Sequence, residues 1–339
     1  MGMFLPAFIF AGGKIKITDS TGHTAVVPKY PERIVFVGRA SIMVADALYM
    51  FPEAQKRIVG TGATNQGRGN FTAVIDTRYG EKVHLERKAG VEHVAAARPD
   101  LVIMKNYLKR DLGNPVSSLG IPVIYLSLET PLLYEKDFTV LGEVFHDPKR
   151  AEQILSFYRN MSSSITTRTT NLAARPKVLF IYHSARDGEV AFNVPPRNWL
   201  QTRMVEMAGG DPVWVDNVSG KGWVKINFEQ IAAWNPDQIY VAAYKQDVKK
   251  VVESLRHSPR WKALKAVKNN KVTGFPVDFY SWDQPDTRWI LGAAWLAKEI
   301  HPELFKDFDI KKITRNFFKE LYFMKDSVYN REIKARLGW

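Results

Sequence analysis

The sequence predicts an α/β protein of two similar lobes, each a mainly parallel sheet flanked by helices, joined by one long rigid helix. Three observations carry this. Apolar runs of strand length alternate with helical spacing along nearly the whole chain, the pattern of β–α units on a parallel sheet. One stretch, "DPKRAEQILSFYRNMSSSITTRTTNLAARP" (147–176), holds a single apolar helical face over about eight turns. A helix–turn–strand joint also occurs twice, once on each side of that stretch. "VEHVAAARPDLVIM" (91–104) aligns without a gap to "FEQIAAWNPDQIYV" (228–241), with Glu92/Glu229, Ala95/Ala232, Ala96/Ala233, Pro99/Pro236 and Asp100/Asp237 identical.

At 339 residues the chain has room for two domains with separate cores. The expected organisation is a signal-peptide remnant at 1–13, an N-terminal lobe at 14–147, an inter-lobe helix at 148–175 and a C-terminal lobe at 176–339. An apolar content of 45% beside 24% charged residues is that of a folded chain. Cysteine is absent, which excludes disulfides, thiolate metal sites, a cysteine nucleophile and a lipid anchor on a cysteine of this sequence. The opening "MGMFLPAFIFAGG" reads as a secretory signal peptide that has lost its basic start, or else as a greasy first strand behind a vector scar. It is too short to span a bilayer. The net charge of +13 divides as +2 over 1–147, +4 over 148–175 and +7 over 176–339. Spread this thinly, it lacks the basic stripe that nucleic acid requires, but it suits an anionic ligand or an anionic membrane surface.

In chain order, "KIKITDSTGHTAVVP" (14–28) alternates apolar and polar residues around Ser-Thr-Gly and predicts a β-hairpin. "RIVFVG" (33–38) is a continuous apolar run, as in a strand buried on both faces. Helical spacing in "SIMVADALYMF" follows, then "RIVGTG", the first joint, a helix near 111–119, "IPVIYLSL" and a helix to about 145. In the long stretch Asp147 suits a cap, Pro148 the first helical position and Pro176 the end. A helix of that length spans roughly 40 Å at 1.5 Å per residue. Beyond it come "KVLFIYHS", a helix with "QTRMVEMAGG", the second joint, a helix near 246–256, "KVTGFPV" and two or three terminal helices. In each joint the proline stops the short helix, the aspartate opens the turn and the apolar run enters the sheet.

These stretches, together with "LGEVFHDPKRAEQIL", "MAGGDPVWVD", "WKALKAVKNNKVTGFP" and "LGAAWLAKEIHPELF", follow one another in the order of a known family. The chain resembles the periplasmic solute-binding proteins of ABC importers for iron–siderophore complexes, haem and cobalamin, the helical-backbone (class III) family, across nearly all of residues 14–307. The resemblance implies a ligand cleft between the lobes, no enzymatic activity, secretion through a cleaved signal peptide, a monomer, and delivery of the ligand to a membrane permease. Residues 62–90 form a longer, more polar insert than the family carries, and the tail from Phe317 extends beyond the family pattern.

Ligands of open α/β sheets collect outside the carboxyl ends of the strands. That rule selects Arg39, Ser41, Lys105, Asn106 and Tyr107 in the first half, with Asn65 and Arg68 in the insert. In the second half it selects Tyr182, His183, Arg186, Trp223, Lys225, Tyr244, Asp278, Tyr280 and Trp282. Guanidinium, ammonium, phenol and indole groups together suit a flat anionic chelate, whose iron needs no ligand from the protein. No resident cofactor or protein-held metal is expected on that reading. A free ferric ion would instead draw on Tyr107, Tyr182, His183, Tyr244, Asp278 and Tyr280, and this alternative stays open. None of the seven histidines falls in HExxH or another metal spacing. By the resemblance, an acidic residue on each lobe meets the permease; Asp111 and Asp247, which follow the repeated strand in each half, are the candidates. A nucleophile elbow, a P-loop and a dinucleotide fingerprint are all absent. A metal-cluster or chelatase-like enzyme on a related two-lobed fold is the rival of another class. A helix continuous through both lobes implies a modest hinge motion.

Overall fold

The computed structural model describes residues 13–186 and 189–339, apart from the side chain of Arg186. The expected signal-peptide remnant therefore lies outside the described residues except for Gly13. The chain divides into two units. Unit 1 takes the residues up to Thr64 with Asp76–Ser127 and Leu133–Gln153; unit 2 takes Asn65–Ile75, Leu128–Leu132 and Ile154–Trp339. The lobes expected from sequence are continuous segments, whereas these units are not. Part of the polar insert, Asn65–Ile75, packs with the C-terminal half.

Unit 1 begins with the hairpin β1 (Lys14–Thr18) and β2 (Thr24–Pro28), which buries Ile17, Ala25 and Val27 on one face. Its turn closes on Asp19, whose Oδ1 accepts from the amides of Thr21 (2.9 Å) and His23 (3.1 Å). The other oxygen, Oδ2, accepts from the Tyr125 amide at 3.0 Å and fastens the hairpin to the sheet. That sheet holds β3 (Ile34–Phe36), β4 (Ile58–Thr61), β5 (Val83–His84), β6 (Leu101–Lys105) and β7 (Val123–Leu126) in the order β5-β4-β3-β6-β7. Every pairing in it is parallel. Strands β3, β6 and β7 are buried along their whole length, which is why they read as unbroken apolar runs. Val35, Val102, Met104, Val123 and Tyr125 meet Val94 and Val116 in one core cluster. Each such side chain withdrawn from water contributes about 1.5–3 kcal/mol.

Unit 2 carries β8 (Lys177–Arg186), β9 (Glu189–Val194), β10 (Asp211–Pro212), β11 (Val224–Ile226), β12 (Gln238–Ala242) and β13 (Val272–Gly274). Its order is β11-β9-β8-β12-β13, with β10 pairing β8. The β8–β10, β8–β12 and β12–β13 pairs are parallel, while β9 joins β8 and β11 antiparallel.

The repeated joint explains itself in atomic terms. The helix Val91–Ala96 and the helix Phe228–Trp234 are each followed by a residue with left-handed backbone directly before the proline, Arg98 (φ 49°) and Asn235 (φ 41°). Left-handed caps are a common way to finish a helix. The repeated aspartate then clamps the head of the neighbouring strand. The Asp100 carboxylate accepts from the amides of Glu32 (2.8 Å) and Arg33 (3.0 Å), and its own amide donates to Arg33 O. Asp237 repeats this on Lys177, accepting from its amide at 2.8 Å and donating to its carbonyl. The two joints thus set the same central parallel pair twice, β3 with β6 and β8 with β12.

The long helix spans Pro148–Thr169, about 33 Å at 1.5 Å per residue, and ends six residues before the expected boundary. Asp147 Oδ1 accepts from the Arg150 amide at 2.9 Å, as a cap does. Ala151, Ile154, Leu155, Tyr158 and Ile165 form its buried stripe. The early stop has a local cause. Thr166, Thr169 and Thr170 turn their hydroxyls back onto preceding carbonyls, and the Arg175 guanidinium takes the freed carbonyl of Thr169 at 3.0 Å.

Candidate functional site

In unit 1, β3 runs out at Gly38, whose φ of +97° and close approach to Leu108 leave no room for a side chain. The chain then turns outward and leaves Arg39 exposed. Tyr107 is half exposed and its hydroxyl donates to Arg39 O at 2.9 Å, so these two expected residues are adjacent. Ser41 and Lys105 are different. The Ser41 hydroxyl is buried between Gly38 O (2.8 Å) and Ala63 O (3.0 Å). Lys105 is wholly buried, with Nζ donating to Ser127 O, and Asn106 Nδ2 donates to Ser127 Oγ at 2.8 Å. These groups brace the loops that follow β3, β6 and β7; Ser41 and Lys105 are buried and Asn106 is partly exposed.

In unit 2, Tyr182 pairs with Ala242, the last residue of β12, and Tyr244 follows two residues later. Their rings stack at 4.4 Å and 25°. Trp223 closes the group at 5.1 Å from Tyr182 and 6.4 Å from Tyr244, and Trp199 meets Trp223 edge-on at 5.4 Å. Behind the rings lies Asp283, fully buried. Its Oδ2 accepts from Tyr244 Oη at 2.6 Å and its Oδ1 from Ser281 Oγ at 2.5 Å. Burial pushes the Asp283 carboxyl up to about 6, against the hydrogen bonds from Ser281, Tyr244 and Gln201. Burial and the nearby Asp283 charge also raise the phenols of Tyr182 and Tyr244, so both rings stay neutral and hydrogen-bonding.

Beside this group His183 Nδ1 lies 2.7 Å from Gln246 Oε1, and Arg68 Nη2 donates to Gln246 O at 2.9 Å. Gln246 thereby links two of the expected residues. Asn65 is exposed and spends its Oδ1 on the Gly67 amide at 2.7 Å. Lys225 is exposed on β11 opposite Asn193. Arg186 ends β8 and its side chain lies outside the described residues.

Asp278, Tyr280 and Trp282 are all buried. Arg288 Nε donates to Asp278 Oδ2 at 2.9 Å, and Asp278 Oδ1 accepts from the amides of Phe279 and Tyr280 (3.2 Å for the latter). The segment turns inward because a buried cation and a buried carboxylate satisfy each other there. Asp111 and Asp247 are both exposed but unlike in detail. Asp247 caps the helix Val248–His257 by accepting from the Lys249 amide at 2.9 Å, while Asp111 sits inside a helical turn and pairs with Arg110.

Asp283, Gln201, Gln246 and Trp199 were not selected from sequence. The run "DFYSWDQPDTRW" (278–289), with three aspartates and one arginine among aromatic residues, was the available signal for a buried polar cluster. Among the described residues no group of three or more histidine, aspartate and glutamate side chains is arranged to hold a metal ion. Among them, too, no helix is long and apolar enough to cross a membrane.

Residues 34–278 match the family described as periplasmic binding protein. The chain is 24% identical over 336 residues to the molybdate-binding protein MolA of Haemophilus influenzae, covering 90% of each. It is 24% identical over 204 residues to the iron-uptake system-binding protein of Bacillus subtilis, covering 59% of this chain and 61% of that one. In fold it is similar to the solved structure of MolA bound to molybdate, with a TM-score of 0.75 at 20% identity over 92% of this chain and 98% of that one. A periplasmic solute binding protein from Veillonella parvula gives a TM-score of 0.76 at 22% identity over 96% and 98%. With the family match covering well over half its length, the chain belongs to the periplasmic binding proteins, the substrate-binding components of ABC transporters.

Proposed function

We propose that this protein binds an anionic ferric chelate of the siderophore type and hands it to its membrane permease. The observation that carries the reading is the ring group of Tyr182 on β8, Trp223 directly before β11 and Tyr244 just past β12. Such a wall offers apolar area and polar tips to a flat organic ligand. In unit 2 Arg68 donates to the carbonyl of Gln246, two residues past Tyr244, and in unit 1 Arg39 is exposed just beyond β3; guanidinium groups pair catecholate or hydroxamate oxygens.

A second reading, a small oxyanion such as molybdate, is favoured by the likeness to MolA over most of the chain. A bare tetraoxyanion makes no use of three aromatic walls, which is why it stands second. For the permease, exposed Asp111 and Asp247 remain the proposed contacts. The test is tryptophan fluorescence titration with ferric catecholate, ferric hydroxamate, haem, cobalamin and molybdate. Saturation by a ferric chelate and not by its iron-free form supports the reading; saturation by molybdate alone rejects it.

A further inference from the structure

We infer that the C-terminal tail, residues 323–339, is a positioning element for the loop "NQGRGN" at 65–70. The inference rests on the proposal that this loop, through Arg68, is part of the ligand site. The structure joins the two segments within unit 2.

The loop has little to hold it from its own sequence. Gly67 and Gly69 have φ near +98°, and Asn65 Oδ1 accepts locally from the Gly67 amide. Its order comes from three distant partners. Gln66 and Gln284 exchange amide hydrogen bonds at 3.1 Å in both directions. Arg68 reaches the carbonyl of Gln246. Arg336 Nη1 donates to the carbonyl of Arg68 at 2.9 Å, across 268 positions of sequence.

Arg336 is itself fixed. Its guanidinium lies 4.0 Å over the ring of Phe279 and 3.5 Å from Glu332 Oε2. Tyr329, Ile333 and Leu337 are buried four residues apart and seat the tail on the unit. Gly69 fits against the same Phe279 ring, where a side chain would come within 3.2 Å of the ring and 3.6 Å of Arg336. Phe71, at the end of the loop, is fully buried against Phe279, Phe318 and Tyr322, with Arg288 4.2 Å over its ring. Phe71 anchors the loop at one end regardless of the tail. What Arg336 adds is the placement of the Arg68 backbone, and through it the direction in which the Arg68 side chain points. A charged donor on a carbonyl is among the stronger single hydrogen bonds.

The experiment compares the full chain with Arg336→Ala and Arg336→Lys by hydrogen–deuterium exchange and by titration with a ferric catecholate. Arg336→Ala is expected to speed exchange over 65–70 about tenfold, with exchange over Trp289–Ile300 unchanged, and to weaken binding about fivefold or more. Arg336→Lys, which keeps a donor, recovers part of both. In an Arg68→Ala background, Arg336→Ala should weaken binding no further, an outcome that general destabilisation would not give. Unchanged exchange over 65–70 overturns the inference, as does faster exchange with unchanged affinity. If the unsubstituted protein binds no ferric catecholate, the chelate reading fails for that class, while the exchange comparison still decides whether the tail orders the loop.

Discussion

Replacing Asp283 by Asn tests the electrostatics behind the ring group. In the folded protein its carboxyl is displaced from the usual 3.8 to about 6. Burial is the main cause, and at about 1.4 kcal/mol per pH unit the displacement is worth about 3 kcal/mol. The sign follows from proton binding. Between roughly pH 4 and 6 the folded state holds the proton that the unfolded state has lost, so stability falls as pH rises through that window. The favourable term is fully present below the unfolded value and gone above about pH 7. Asn keeps an oxygen for Tyr244 and carries no charge to desolvate. The difference in unfolding free energy between Asp283→Asn and the unsubstituted chain should therefore grow by about 2.5 kcal/mol from pH 4 to pH 7.5, in favour of the variant. Urea denaturation at a series of pH values measures it. Parallel profiles for the two proteins would refute the argument, because then the buried carboxyl is not the source of the dependence.

Three further substitutions probe how each unit is held internally. Arg288→Ala removes the ion-pair partner of Asp278 in the interior, where both are inaccessible to solvent, and should cost about 3–5 kcal/mol in urea unfolding. A loss below about 1 kcal/mol would show that the pair is dispensable. Asp100→Ala frees two backbone amides and Asp237→Ala one, at about 1–3 kcal/mol for each bond to a charged group. Asp100→Ala should therefore be the more damaging, and the reverse order in thermal melts would contradict the clamp described for the repeated joint.

The joint was the most legible feature, since Pro-Asp after a short helix leaves few geometries, and its two copies marked the centre of both sheets. What the sequence concealed was compensation at a distance. Lys105 follows an apolar run and reads as a strand-end cation, but its ammonium is satisfied by Ser127 O from a strand 22 residues away. Asp278 reads as a loop carboxylate until Arg288 folds over it. The end of the long helix was misplaced because Leu172 continues the apolar spacing, whereas the threonine hydroxyls and Arg175 terminate the backbone earlier. Arg39, Arg68, Tyr182, Trp223 and Tyr244 were selected by the carboxyl-end rule alone, and the last three come together as one ring group. Asp283 escaped selection because only its tertiary partners distinguish it from the neighbouring aspartates.

The most direct measurement is the binding of one ferric siderophore, its iron-free form and molybdate to the same preparation, by isothermal titration with Trp223→Ala alongside. The account predicts saturable binding of the ferric form alone, weakened at least tenfold in Trp223→Ala. Tight binding of molybdate, with the ferric chelate inert and Trp223→Ala without effect, would contradict it.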